Sequence, residues 1–282
     1  MKAPAISING RAFGDRVLLA LVILLSIVMI APVLWVIGLS LKENAELMAN
    51  PNSVFQAPYT LKNYINTIGT SSVFVWVFNS IIVSGGLTLG TLILSSLAGY
   101  GFARLNFPGR NILFVTVLFG LAVPEQAVLV ARHQIFSMLN FHNSYHGLIL
   151  PGLSASFGVF LMTQYFKAIP KELDEAALLD NASRFRIFWK VLLPLTVPAQ
   201  ATLGIFTFLG AWNDYLWPLI SATKKHMYTL TVGMASTQTN FAQSEGIGFL
   251  MAQAVFAGAP ILIVYLFFQK YIVTAVSGAA VR

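Results

Sequence analysis

Cysteine is absent from the 282 residues, and charged side chains make up only 10% of them. The first absence excludes disulfide bonds and thiolate chemistry. The second, set beside 57% hydrophobic residues, excludes an ordinary soluble domain and describes a chain built for a bilayer. Histidine occurs only at His133, His142, His146 and His226, without the spacing of a metal site. The order Gly-x-x-x-x-Gly-Lys-Ser/Thr does not occur, so no loop is expected to cradle phosphates. No nucleophile–base pairing or zinc motif is present, so neither catalytic residues nor a metal site are expected, and the chain is not expected to be an enzyme. The net charge of +7 is scattered and forms no tract for nucleic acid. A membrane protein collects such an excess on its cytoplasmic side.

Long apolar runs are what the chain has in abundance. A helix needs roughly 20 apolar residues to cross the hydrocarbon core. Val17 to Leu41 and Val73 to Ala103 carry no charge. Ile112 to Pro124 is apolar and continues past Glu125 to Ala131. Tyr145 to Phe166 is apolar apart from His146, Val191 to Thr223 carries one acid, Asp214, and Gly246 to Gln269 is uncharged. The expectation is an all-α membrane protein of about six transmembrane helices, forming a single domain over residues 1–282. The first run is too long for a cleaved signal peptide and lacks a small-residue cleavage site after it. With the N-terminus inside, twelve Lys and Arg fall on inner segments and five on outer ones. Both termini are therefore expected in the cytoplasm, with a cytoplasmic tail 1–16, an inner loop 167–190 and an outer loop 224–245. No internal repeat of fixed period is present.

The inner loop is the most basic one and is patterned as two short helices. Pro170 suits a first helical position. Glu172, Asp174 and Glu175 follow, near the positive end of the helix dipole. Leu173, Ala176 and Ala177 share one face by spacing, which lets another surface approach closely. Asn181 can take the left-handed conformation that ends a helix, and Ser183 can cap the next. Phe185, Phe188, Trp189 and Leu192 then form an apolar stripe, with Arg186 and Lys190 off it. By physics alone, an interfacial anchor and a docking element account for this loop equally well. Asn181-Ala182-Ser183 also matches a glycosylation sequon, which a cytoplasmic loop would not use.

The order of residues separates those readings. Glu175-Ala176-Ala177, three residues, Asn181, and then Leu193-Pro194 resembles the EAA coupling-helix loop of ATP-binding-cassette importer permeases, with Asn181 where that family usually has Gly. Trp212 to Leu219 is similar to the fifth-span motif of the carbohydrate-type permeases. Leu97 to Arg104 resembles their second-span exit, and Gln269 to Val281 their C-terminus. The resemblance implies a multi-pass permease in the bacterial plasma (inner) membrane, with the loop between the fourth and fifth helices facing the cytoplasm. It implies a second permease subunit as partner, two ATPase subunits below, and a periplasmic or lipid-anchored binding protein delivering a sugar or sugar derivative. No cofactor is expected in this chain, since ATP and Mg would be bound by the partner ATPase. Carried over by position, Glu175 would pair with a basic group on the ATPase, Ala176 and Ala177 would pack closely, and Asp180, Asn181 and Arg184 would complete the coupling element. Gln238, Thr239, Asn240 and Gln243 would meet the binding protein.

Polar groups inside spans are costly and usually face a pathway or a partner. Asn79, Glu125, Gln126, Trp212, Asn213 and Asp214 are the pathway candidates. Asn213 and Asp214, close to Pro218, suit a break in the fifth span better than a grip on substrate, and the tryptophans suit an interfacial belt. Gly86 and Gly90 have the spacing for close helix packing. A secondary transporter driven by an ion gradient is the alternative, although it would favour inverted repeats and several buried acids.

Overall fold

The computed structural model describes residues 8–50, 52–69, 72–241 and 246–280, and all regular structure among them is helical. The chain divides into two compact units, Met1–Gly69 with Thr237–Phe256 and Thr70–Ser236 with Ala257–Arg282.

In the first unit, helix Ile8–Ser40 carries a candidate membrane span over Gly14–Ser40, uncharged from Val17 on. Its side chains are exposed from Gly14 to Trp35, as on a helix that faces lipid. Its 33 residues reach about 50 Å, more than the hydrocarbon core needs. Short helices Asn44–Ala49, Ser53–Phe55 and Lys62–Gly69 follow. They close around Lys42, whose ammonium is fully buried between the Glu46 carboxylate and the carbonyls of Gln56 and Pro58. Asn63 donates to the carbonyls of Ser40 and Lys42, at 2.9 and 2.8 Å, which ties the end of the long helix to this cap. A buried ammonium with an acid and two carbonyls around it has its charge and donors answered.

The second unit is organised on helix Val73–Arg104, which packs lengthwise on Ser156–Ala168 and Val197–Asn213. Its buried face has large residues near the two ends, such as Trp76 and Tyr100, and small ones between, with Ser80, Ser84, Thr91, Ser95 and Gly99 at helical spacing. Without a hydrophobic driving force between helices in lipid, close approach is what holds them. At Gly99 a β-carbon would stand 2.7 Å from the Met162 Cβ, so the two backbones meet only because Gly is there. Gly86 and Gly90 face the side-chain tips of Ile149 and Leu153, so these glycines also sit at a helix contact.

The six apolar runs do not become six straight helices. Gly14–Ser40, Val73–Arg104 and Gly246–Phe267 are unbroken. Tyr145–Leu153 with Ser156–Ala168 is bent by 48°, and Arg184–Leu195 with Val197–Asn213 by 76°. The third run splits into Arg110–Phe119 and Leu129–Met138, joined through turns and the 3₁₀ piece Glu125–Val128. Pro124 lacks a backbone donor and disfavours a helical residue before it, which explains this break. At the sharper bend, Pro198 cannot donate back to the preceding turn. One residue earlier in that turn, the Leu193 carbonyl accepts from Thr196 Oγ1 and Gln200 Nε2, at 2.8 and 2.9 Å.

The segment 224–245 is not polar throughout its described part. Its described part holds helix Leu230–Phe241, with Thr229, Leu230, Val232 and Met234 buried. Ser80 accepts from the Leu230 amide at 2.8 Å, and Gly233 lies against the Trp76 ring. The apolar residues between the polar ones, together with that cap, draw this segment onto the bundle.

Candidate functional site

The loop between Ser156–Ala168 and Val197–Asn213 is built from its turn outwards. Helix Glu172–Leu179 begins two residues after Pro170 and places three acids in its first turn. It ends at Asn181, whose φ of 56° is left-handed. The Asn181 amide bonds to the Leu178 carbonyl and the Ala182 amide to that of Ala177, both at 3.0 Å. That pair of bonds is a Schellman motif with Asn in the usual glycine position. Ser183 Oγ then accepts from the Arg186 amide at 3.3 Å and starts helix Arg184–Ile187. A π-helical turn, Phe188–Leu192, leads into Leu193–Leu195.

The expected apolar stripe divides in two. Ile187, Phe188 and Leu192 are buried with Tyr100, Met162 and Phe166, whereas Phe185 is 70% exposed and Trp189 is also exposed. The π turn, which spacing did not reveal, shifts the register of the buried face. Ala176 and Ala177 separate as well, with Ala177 against the buried cluster and Ala176 exposed. Glu175, Ala176, Leu179, Asp180 and Phe185 all face outwards, and Leu179 is 85% exposed. The loop is thus held by one face and free on the other. Beside it lies a cleft of about 630 Å³ lined by Arg104, Arg110, Lys167, Lys171, Arg184, Asp174 and Glu175.

A second cleft, of about 530 Å³, surrounds the end of Val197–Asn213. The helix stops at Asn213, Asp214 is extended, and Leu216–Ser221 restarts after it. Glu125, Asn213 and Asp214 therefore meet in one cleft with Arg132, Thr207, Tyr215 and Trp217. The Arg132 guanidinium lies over the Trp217 ring at 5.4 Å, and Trp217 Nε1 donates to the Gly147 carbonyl at 2.8 Å. The other pathway candidates do not line this cleft. Trp212 is buried, stacks on Phe208 and donates to the Ala257 carbonyl at 3.1 Å. Asn79 is buried, donates to the carbonyls of His226 and Tyr228 at 2.8 and 2.9 Å, and accepts from Tyr145 Oη at 2.7 Å. Gln126 is exposed on the 3₁₀ piece. Gln238, Thr239 and Asn240 fall on Leu230–Phe241, but their side chains, and Gln243 altogether, lie outside the described residues.

Sequence reasoning missed Arg132 and the buried pair Arg104 and Asp174. The signal for Arg132 was present: it stands seven residues after Glu125, opposite in charge, at the end of an apolar run.

A helical bundle with broken spans, a two-helix loop at one end and a polar cleft at a helix break defines a membrane permease subunit. Residues 91–278 match the family described as binding-protein-dependent transport system inner membrane component, and the chain belongs to it. The arabinooligosaccharides transport system permease protein AraQ of Bacillus subtilis is 33% identical over 262 residues, covering 92% of each chain. The diacetylchitobiose uptake system permease protein NgcG of Streptomyces coelicolor is 34% identical, over 93% of this chain and 87% of its own. The trehalose/maltose transport system permease protein MalG of Thermococcus litoralis is 32% identical, over 95% and 97%. In fold, the chain is similar to one from the crystal structure of a bacterial ABC transporter involved in the import of the acidic polysaccharide alginate, with a TM-score of 0.82, 21% identity, and coverage of 95% and 99%. This membership leaves the ion-gradient alternative without support.

Proposed function

We propose that the chain is one of two permease subunits of an ATP-driven importer for a sugar or sugar derivative. It lies in the bacterial plasma membrane with both termini in the cytoplasm, where most of its Lys and Arg would then fall. With a second permease it encloses the pathway, and it couples to two ATPase subunits through the loop 167–190. ATP and Mg are bound by those ATPases, and a periplasmic or lipid-anchored binding protein supplies the substrate. The sugar class is supported by what the relatives AraQ, NgcG and MalG are named for. A second fold neighbour, at TM-score 0.60, is an alginate transporter in complex with an alginate pentasaccharide-bound periplasmic protein.

The single observation that carries the coupling role is the two-sided loop. Its inner face is fixed in the bundle by Ile187, Phe188 and Leu192, and its outer face presents Glu175, Ala176, Asp180 and Phe185. Glu175 pairs there with a cation of the ATPase, Ala176 admits close contact, Asn181 sets the angle between the two helices, and Arg184 lines the adjoining cleft. Ala177 packs inwards and contributes to coupling by holding the helix in place. Closure of the ATPase dimer then moves the loop as part of a rigid-body switch of the spans. In the cleft at Asp214, Glu125, Asn213 and Asp214 offer acceptors to sugar hydroxyls, and Trp217 offers ring surface. The segment with Gln238, Thr239, Asn240 and Gln243 meets the binding protein.

Glu175→Lys tests the coupling role. Transport should fall at least tenfold while the protein inserts at its normal level. Transport at the parental rate would sink the docking assignment.

A further inference from the structure

Asp174 and Glu175 are adjacent on one helix, so their side chains point about 100° apart around it. Glu175 is exposed, whereas the Asp174 side chain is 9% exposed and faces the bundle. There it meets Arg104, 4% exposed, with Nε 3.3 Å from Oδ2. Among the described residues, neither Asp174 oxygen accepts a hydrogen bond of normal geometry, so its charge is answered by the ion pair. Arg104 is also the last residue of the long helix Val73–Arg104, and its Nη2 donates to the Ile169 carbonyl at 2.6 Å, just before the loop helix. One turn earlier, Tyr100 Oη donates to the Arg184 carbonyl at 3.3 Å, and its ring packs on Phe166 and Phe188. The end of a single helix therefore grips both halves of the loop.

We propose that the Arg104–Asp174 pair is the strut that transmits displacement of the loop helix to Val73–Arg104, which makes both residues positioning residues for coupling. The inference rests on the docking role given above to Glu175. Two charges desolvated against each other cannot part without leaving a buried ion uncompensated. A push on Glu172–Leu179 is therefore carried into Val73–Arg104, and from there into the two spans packed along it. A contact made only of apolar side chains would let the helix slide, since its energy changes gradually with area. The ion pair adds a directional restraint at the point where the outward carboxylate of Glu175 receives the load.

The test uses the whole complex purified from membranes, with transport per ATP hydrolysed as the readout beside co-purification of the ATPase. Asp174→Asn keeps the shape and removes the charge. It should retain the ATPase and lower the transport yield per ATP at least tenfold. The charge-swapped double variant, Arg104→Asp with Asp174→Arg, should recover at least a third of the parental yield. Arg104→Lys, which keeps a cation, should exceed Arg104→Gln several-fold, and it serves if the swapped protein fails to assemble. Parental yield in Asp174→Asn would overturn the strut, as would equal yields in Arg104→Lys and Arg104→Gln. Glu175→Lys separates the two ideas: if it uncouples while Asp174→Asn does not, only the strut is lost. If neither uncouples, the docking role of the loop has failed as well.

Discussion

At Asn181, one backbone angle sets the angle between the two loop helices. For most L-residues the left-handed conformation costs about 1–2 kcal/mol, and Gly and Asn are the residues that take it routinely. The φ of 56° and the two bonds to Leu178 and Ala177 show that Asn181 does here what Gly does elsewhere. Asn181→Gly should therefore leave the loop intact. Asn181→Val adds a branched side chain where φ is positive and should weaken the loop by about 1–2 kcal/mol. Hydrogen exchange over residues 172–187 of the purified protein measures this. The Val variant should exchange roughly tenfold faster and the Gly variant at the parental rate. Equal exchange in both would mean that the turn is held by its surroundings and not by its own geometry.

Among the elements, the buried polar junction at Asn79 joins three segments: Val73–Arg104, Tyr145–Ile149 and the 3₁₀ turn Lys225–Met227 with the residue after it. An intramembrane amide invites a pathway role from sequence, but every polar end of this one is bonded within the fold. Asn79→Leu would leave two carbonyls and a tyrosine hydroxyl unanswered, at a cost of about 2–4 kcal/mol. The thermal midpoint of the purified protein should drop, with substrate preference unchanged in whatever protein remains folded. A stable variant with altered preference would return Asn79 to the pathway. The same elements show where sequence information ends. The runs at 17–41, 73–103 and 246–269 were legible because lipid-facing helices must be apolar on nearly all sides. The turn at Asn181 and the cap at Ser183 were legible because local backbone chemistry fixes them. The split of Ala176 from Ala177, the π turn at Phe188, and the pairing of Arg104 with Asp174 were not, because they involve packing against other elements of the chain. The contacts of Leu230 with Ser80 and of Gly233 with Trp76 were not legible for the same reason, since both partners lie far back in the chain.

For the molecule as a whole, the difficulty is energetic. The chain belongs to a transport family, yet its sequence holds no phosphate-cradling loop to use ATP. On the reading proposed above, work enters through a contact with another chain, and the two-sided loop at 167–190 is the element proposed to receive it. The Asp214 cleft is lined by Glu125, Arg132, Asn213, Asp214 and Trp217 of this chain. A pathway needs a second wall, and a second permease would provide it. In the proposed assembly, the ATP-bound ATPase and the loaded binding protein must both favour one state of the spans for hydrolysis to drive import. Purified from its native membrane in mild detergent, the chain should carry with it a second permease and an ATPase present in two copies. Hydrolysis by that complex should rise several-fold when loaded binding protein is added and stay flat with the empty form. The ligand recovered from that binding protein would name the sugar. A chain that purifies alone at every detergent strength, with no hydrolysis to stimulate, would leave the outward face of Glu175, Ala176 and Phe185 with nothing to dock, and would reduce the loop to an anchor on the membrane surface.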